Sequence, residues 1–115
     1  MPDPYQSDDL DYALLSQIAE QKNTSQRALA KRLGVSVGKV NYCLRAVVGR
    51  GWVKVNNFRR SDNKWAYAYL LTPSGASAKI QLAHAFLARK EREFDQLNKE
   101  ISALRQEILS EEPKA

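Results

Sequence analysis

No proline or glycine occurs between Gly75 and Pro113, so nothing in this stretch of the chain breaks a helix. A helix that begins at Pro73 and continues over about 38 residues would be ~57 Å long, at a rise of 1.5 Å per residue. The ~70 residues before it form a domain too small to cover a helix of that length. The chain is therefore predicted to fold as a small globular part followed by one long helix.

Apolar residues recur along this helix at alternating spacings of three and four, which is the heptad repeat of a coiled coil. The repeat covers four heptads, a length that is typical of helices that pair with another helix. Its first members, Ile80 and Ala83, are close enough to the globular part to pack on it. The residues predicted to contact a second copy of the chain are Leu87, Phe94, Ile101 and Ile108 at heptad position a, and Lys90, Leu97 and Leu104 at position d.

The repeat favours a two-stranded parallel homodimer, because Ile at position a with Leu at position d is preferred in such dimers. Glu100 at position g and Arg105 at the following position e would attract each other across a parallel pair. An antiparallel pair would instead bring glutamates at position g together. Lys90 is the polar core position, and a residue of this kind sets register or oligomeric state at a cost in stability.

Three shorter helices are predicted before the long one, with Ser7, Ser25 and Ser36 as their N-caps. A serine hydroxyl suits that position because it accepts a hydrogen bond from a free N–H of the first turn. Gly34 and Gly51 are predicted to end the second and third helices, since glycine adopts the left-handed conformation of a helix stop. The predicted buried faces are Leu10, Leu14, Leu15 and Ile18 in the first helix, Ala28, Leu29 and Leu33 in the second, and Val40, Leu44, Val47 and Val48 in the third.

A β-hairpin is predicted next, because residues 52–55 and 65–71 are rich in aromatic and β-branched residues. The polar residues 56–64 between them are predicted to form its tip. Thr72 then caps the long helix, with Pro73 at the first helical position. The predicted fold is mainly α with a small β-hairpin wing. The predicted division is a disordered tail over residues 1–6, a winged helix-turn-helix domain over residues 7–75 and a coiled-coil dimerisation helix over residues 76–112.

Positive charge is concentrated between Lys22 and Lys64, the segment that contains the helix-turn-helix and the hairpin. Eleven of the 18 Lys and Arg residues lie there with one acid, Asp62, whereas the whole chain has a net charge of +5. The second helix of a helix-turn-helix enters the major groove of DNA, and a basic face is the electrostatic mark of such binding. The predicted partner is therefore double-stranded DNA.

The predicted contacts on the third helix are polar residues that lie off its apolar stripe. Lys39 and Asn41 are predicted to read bases, since Lys binds guanine and Asn binds adenine at the major-groove edge. Ser36 and Tyr42 can bind phosphates or bases, and Arg45 is predicted to bind the phosphate backbone. Taken singly, each would be an ordinary solvated residue; the charge of the surrounding segment favours the interface.

The basic residues Arg59, Arg60 and Lys64 are predicted at the hairpin tip, from which they can enter the minor groove. Charges at such a site also protect an edge strand from pairing with another molecule, and the two roles are compatible. Asp62 either orients Lys64 or simply forms the turn.

The chain resembles the MarR family of winged helix-turn-helix transcriptional regulators over roughly residues 8–75. The resemblance is carried by residues 25–48 as the helix-turn-helix, by residues 51–53 (Gly-Trp-Val) entering the wing, by residues 62–64 (Asp-Asn-Lys) within it, and by residues 71–75 (Leu-Thr-Pro-Ser-Gly) leading out of it. The family has Asp-x-Arg at the wing, so Lys64 stands in place of an arginine. Residues 27–42 look more specifically like the subgroup associated with exopolysaccharide gene clusters in bacteria.

This resemblance implies a transcriptional regulator, with exopolysaccharide biosynthesis genes as targets. The homodimer that the heptad repeat predicts would present two recognition helices to half-sites about one helical turn apart, which predicts a pseudo-palindromic operator. Family members commonly bind small phenolic ligands near an added N-terminal helix. Only a short tail precedes the first helix here, so no effector is assigned. The alternative is a winged-helix adaptor that binds proteins, dimerises through the coiled coil and does not bind DNA.

Composition argues against several other classes. One cysteine, Cys43, and one histidine, His84, provide neither a disulfide framework nor a metal-binding cluster. Cys43 is predicted to be a buried, inert thiol, with a redox-sensing thiol as the alternative. The absence of a long apolar run and of a signal peptide predicts a cytoplasmic protein that does not enter a membrane. No cofactor is predicted, and no catalytic constellation indicates an enzyme.

Overall fold

The computed structural model describes residues 7–21, 24–59 and 65–112, without the side chains of residues 7, 58, 59, 65 and 66. The elements are α1 (Ser7–Glu20), α2 (Gln26–Leu33), α3 (Val37–Gly49), β1 (Val53–Arg59), β2 (Trp65–Leu71) and α4 (Pro73–Glu111). Three helices, an antiparallel hairpin and a long C-terminal helix confirm the predicted fold class. The predicted tail, residues 1–6, lies outside the described residues. The chain divides into two compact units at the boundary between residues 83 and 84, inside α4.

The core of the first unit forms where α1, α2 and α3 meet the base of the hairpin. It consists of Leu10, Leu14, Leu15, Ile18, Leu29, Ala30, Leu33, Val40, Cys43, Leu44, Val47, Val53 and Tyr69. The predicted face of α1 is confirmed. In α3, however, Val48 is 38% exposed, so its assignment to the buried face was wrong, whereas Cys43 is buried as predicted. The buried positions of α3 alternate at spacings of three and one, and Val48 lies at the edge of that stripe in the last turn.

Serine caps and glycine stops set the ends of α2 and α3. The Ser25 and Ser36 hydroxyl oxygens each accept a hydrogen bond at 3.0 Å, from the N–H groups of Ala28 and Lys39. Gly34 has φ of 71° and its N–H donates to a carbonyl of α2, as predicted for a helix stop. The turn between α2 and α3 is therefore confined to residues 34–36. In α1, residue 7 is the first helical residue, whereas its predicted role as N-cap would begin the helix at residue 8.

The two strands pair from Val53 opposite Leu71 to Arg59 opposite Trp65. β1 is longer than predicted, so the assignment of residues 56–59 to the hairpin tip was wrong. Asparagines at positions 56 and 57 were interpreted as turn residues, but they pair with the alanine and tyrosine of β2 at positions 68 and 67. Strand pairing thus overrides the turn preference of asparagine.

A close junction joins the hairpin to the first turn of α4. The Thr72 N–H donates to the Trp52 carbonyl at 3.0 Å, and the Thr72 hydroxyl donates to the Gly51 carbonyl. The Gly75 N–H in turn donates to the Thr72 hydroxyl oxygen at 3.0 Å, as expected of an N-cap. A Cβ on Gly75 would lie on the Trp52 carbonyl oxygen and 2.8 Å from its carbon. Only glycine therefore fits this position without a shift of the backbone.

Candidate nucleic-acid interface

One face of α3 is not covered by the other described residues of the first unit. Val40, Leu44 and Val47 point into the core, and with 3.6 residues per turn the opposite face carries Tyr42 and Arg45. Tyr42 is 72% exposed, and Arg45 is exposed as well. Neither α2 nor α3 contains an Asp or Glu. The exposed face is therefore polar and cationic, which suits an anionic polymer.

Asn41 lies on the side of α3 that faces α2. Its Nδ2 atom donates a hydrogen bond to Oε1 of Gln26, the first residue of α2, at 3.3 Å. Both side chains are half-buried. Sequence reasoning selected Asn41 as a base reader but missed Gln26, which no periodicity in the sequence singles out.

Lys39 lies on the flank of α3 rather than in the middle of its exposed face. Its side chain is half-buried, and its Nζ atom is 5.9 Å from the centroid of the Tyr42 ring. A cation over an aromatic face is attracted by the ring quadrupole, so these two predicted site residues come together. Ser36 is exposed, and its hydroxyl can still donate a hydrogen bond while its oxygen caps α3. The four side chains of Ser36, Lys39, Tyr42 and Arg45 thus share the N-terminal and outer part of α3.

Arg50, which sequence analysis counted only as part of the basic segment, has a structural role. Its guanidinium forms an ion pair with Asp11 of α1 at 3.3 Å and lies 5.0 Å from the centroid of the Trp52 ring. It therefore links α1, the end of α3 and the start of the wing. Burial raises the pKa of the Asp11 carboxyl, and the opposing attraction of Arg50 does not fully offset that effect. The sequence signal for this role is Trp52, an aromatic residue only two positions after Arg50 that its guanidinium can contact.

The wing is only partly described. Arg59 ends β1 opposite Trp65, with its backbone described and its side chain not. Arg60 and Lys64 lie outside the described residues. Lys54 of β1 is exposed, which adds a basic group that sequence reasoning did not select.

The second unit, considered by itself, carries the predicted heptad seam on exposed positions. Six of its large apolar residues are more than half exposed, and five of these lie on the seam: Leu87, Phe94, Leu97, Leu104 and Ile108. The sixth, Leu109, lies off it. Ile101 is half-buried. A row of large apolar side chains at these spacings, uncovered in a single chain, is typical of a helix that pairs with a partner.

Lys90, the polar position of the seam, makes contacts within its own helix. Its Nζ atom is 3.1 Å from a carboxylate oxygen of Glu93 and 5.3 Å from the centroid of the Phe86 ring. Both partners lie one turn from Lys90, as residues three or four apart on a helix do. The ammonium group is therefore held toward the heptad position g side of the seam.

The described residues show no feature of a metal centre or a membrane span. Among them, no three His, Cys, Asp or Glu side chains come together in a way that could hold a metal ion. No helix in the same part of the chain is long and apolar enough to cross a membrane.

Residues 7–54 match the sequence profile of a family described as winged helix-turn-helix DNA-binding. The match covers α1, α2, α3 and the start of β1, which are the elements that position Asn41, Tyr42 and Arg45. No curated protein matches the chain at a significant level.

Several solved structures are similar to this one, and they are transcriptional regulators. A PadR-like regulator from Bacillus cereus has a TM-score of 0.68 at 15% identity, over 76% of this chain and 90% of its own. A MarR-family regulator from a Rhodococcus species has a TM-score of 0.62 at 19% identity, over 86% of this chain and 71% of its own. A MarR/EmrR-family regulator from an Acinetobacter species has a TM-score of 0.56 at 20% identity, over 87% and 75%. At these identities the likeness shows a shared fold.

Proposed function

We propose that the chain is a sequence-specific transcriptional regulator that binds double-stranded DNA as a homodimer. The observation that carries this proposal is the exposed face of α3, which presents Tyr42 and Arg45 and is flanked by the half-buried Asn41. Neither α3 nor the adjacent α2 contains an acidic residue. Such a face suits the major groove, where side chains read base edges and cations contact phosphates. The profile match over residues 7–54 and the regulator neighbours support the same function.

Each contact residue has a distinct proposed role. Asn41 and Lys39 read bases, Ser36 and Tyr42 contact bases or phosphates, and Arg45 binds the phosphate backbone. The three wing residues proposed to enter the minor groove are Arg59, Arg60 and Lys64.

A salt titration tests DNA binding directly. Affinity for a labelled duplex should fall steeply with salt, because each phosphate contact releases condensed counterions. Arg45→Ala should weaken binding to all duplexes alike and reduce the slope of log affinity against log salt by about 1. Lys99→Ala, which removes an exposed charge from the second unit, is the matched control and should leave the slope unchanged.

The titration also separates this function from that of a protein-binding adaptor. Affinity that stays flat between low and moderate salt would contradict the proposal. No DNA binding at all, together with capture of a protein partner that survives Arg45→Ala, would favour the adaptor.

We further propose that α4 provides the dimer contact, through Leu87, Lys90, Phe94, Leu97, Ile101, Leu104 and Ile108. A two-fold dimer would present two copies of α3 to half-sites about one helical turn apart, which predicts a pseudo-palindromic operator. The exposure of the seam in the single chain supports this arrangement.

The dimer proposal has a control built into the helix. Leu97→Gln with Leu104→Gln should give a monomer by sedimentation, because both side chains lie at position d. Leu109→Gln replaces a leucine that is 65% exposed but lies at position b, off the seam, and should leave the dimer intact. A Leu97/Leu104 variant that remains a tight dimer would locate the interface elsewhere.

Target genes and cellular location are proposed on narrower grounds. The resemblance of residues 27–42 to the exopolysaccharide-associated subgroup supports control of such genes in a bacterium, by a protein of the cytoplasm where the chromosome lies. Genomic fragments captured by the purified protein should come from upstream of polysaccharide biosynthesis genes. Enrichment of unrelated promoters would refute the assignment of targets and leave DNA binding intact.

A further inference from the structure

We propose that Gln26 is a positioning residue that holds the Asn41 amide in the orientation that reads adenine. The inference rests on the proposed function and concerns a residue that does not itself need to touch a base. Its basis is the hydrogen bond from Asn41 Nδ2 to Gln26 Oε1, at 3.3 Å, which joins the start of α2 to the side of α3 that faces it.

The bond leaves free the half of the Asn41 amide that adenine requires. An asparagine amide has two N–H donors and one oxygen acceptor. Gln26 uses one N–H, so the other N–H can donate to adenine N7 while Oδ1 accepts from the adenine amino group, which is the bidentate pairing that specifies adenine. Rotation of the amide by half a turn would exchange the oxygen and the nitrogen and lose this match.

Gln26 and Asn41 both lie in capped helices, so their backbone positions are well defined. Gln26 is the first residue of α2, immediately after the Ser25 cap, and Asn41 lies in the second turn of α3, beyond the Ser36 cap. The half-burial of both side chains limits their alternatives further. The Asn41 amide is thus oriented before DNA arrives, so less side-chain freedom is lost on binding.

The expected size of the effect follows from that lost freedom. Ordering one side chain in advance corresponds to about two- to tenfold in affinity for the base that it reads. Gln26→Ala should therefore reduce the preference for adenine at one step of each half-site by about that factor. Preferences at the other steps should not change.

Two charged replacements give a sharper test, because they separate orientation from charge. Glutamate can only accept, so Gln26→Glu should keep the Asn41 amide as it is and retain the adenine preference, while the added negative charge weakens binding to every duplex. Lysine can only donate, so Gln26→Lys should turn the amide around and lose the preference, while the added positive charge strengthens binding overall. A residue with a merely structural or phosphate-contacting role would change the affinity for all duplexes alike and would leave the adenine preference the same in both variants.

The experiment starts from selection of duplexes out of a random pool by the full chain, the three Gln26 variants and Asn41→Ala. The step at which Asn41→Ala loses adenine should be the step at which Gln26→Ala and Gln26→Lys lose it. In the duplex selected by the wild type, 7-deazaadenine at that step removes N7 and should weaken wild-type binding by about tenfold, and Gln26→Lys binding much less.

The outcomes distinguish the inference from the function on which it rests. If the wild type enriches no sequence, the proposed function fails. If it enriches a sequence and Gln26→Lys keeps the adenine preference, or Gln26→Ala weakens all duplexes equally, the role of Gln26 is refuted while DNA binding stands. Thermal unfolding of each variant verifies that it is folded. If Gln26→Ala is destabilised, the comparison of adenine preference between Gln26→Glu and Gln26→Lys still tests the role of Gln26.

Discussion

Replacement of Gly75 by alanine measures how closely α4 approaches the entry to the wing. At a free helical position, alanine is favoured over glycine by up to ~1 kcal/mol. At Gly75 the new Cβ would instead meet the backbone of Trp52, 2.8 Å from its carbonyl carbon and closer still to its oxygen. A backbone carbonyl cannot rotate aside as a flexible side chain can, so the first turn of α4 must move.

The magnitude follows from what that movement breaks. Forcing an extra methyl group into a packed site costs about 1–3 kcal/mol. The shift also strains two hydrogen bonds of Thr72, to the carbonyls of Trp52 and Gly51, at about 1 kcal/mol each. After the gain in helix preference, the expected loss in the free energy of unfolding is about 2–4 kcal/mol, a large part of the typical total.

Urea unfolding, followed by helical circular dichroism, measures the loss. Every variant is unfolded at the same protein concentration, because dimerisation makes the apparent stability depend on concentration. Gly49→Ala is the matched control, because no atom lies within 4 Å of a Cβ there and its backbone has no positive φ. That control should be neutral or stabilising by up to ~1 kcal/mol. If Gly75→Ala behaves like Gly49→Ala, the close approach of α4 to the wing is wrong.

Three further substitutions have defined outcomes. Because the pKa of Asp11 is raised, its ionisation costs stability as pH rises through and above the ordinary carboxyl range. Asp11→Asn should therefore gain stability relative to wild type with rising pH in urea unfolding, and a growing deficit would contradict this sign. Lys90→Leu should tighten the dimer in sedimentation at low concentration, because it replaces the polar residue of the seam with an apolar one, and a weaker dimer would contradict the placement of Lys90 at a core position. Ser36→Ala should lower the free energy of unfolding by about 1 kcal/mol through loss of the α3 cap, and an unchanged value would mean that another group caps α3.

The elements that local chemistry dictates could be predicted from the sequence. Ser25, Ser36 and Gly34 act at helix ends through hydrogen bonds and backbone angles of their own neighbourhood, so their roles are visible in a few residues. The spacing of leucines in α1 likewise needs no knowledge of the partner that covers it. The exposed face of α3 can be predicted as well, because it consists of the positions that lie outside the apolar stripe.

Features that depend on distant pairing could not be predicted in the same way. The length of β1 is set by β2, which holds Asn56 and Asn57 in a ladder that their own turn preference opposes. Glycine is needed at position 75 because the backbone of Trp52 lies against it, and Asn41 has Gln26 as its hydrogen-bond partner. The members of each pair become neighbours only after folding. Each is a contact between elements, and the sequence carries no periodic signal for it.

The stoichiometry and footprint of the complex on a selected duplex test the central claim, that two copies of α3 are presented to DNA by one dimer. We predict two chains per duplex and two protected segments whose centres lie about 10 base pairs, or ~34 Å, apart on the same side of the double helix. One chain per duplex, or a single protected segment that the Leu97/Leu104 variant also produces at the same affinity, would contradict it.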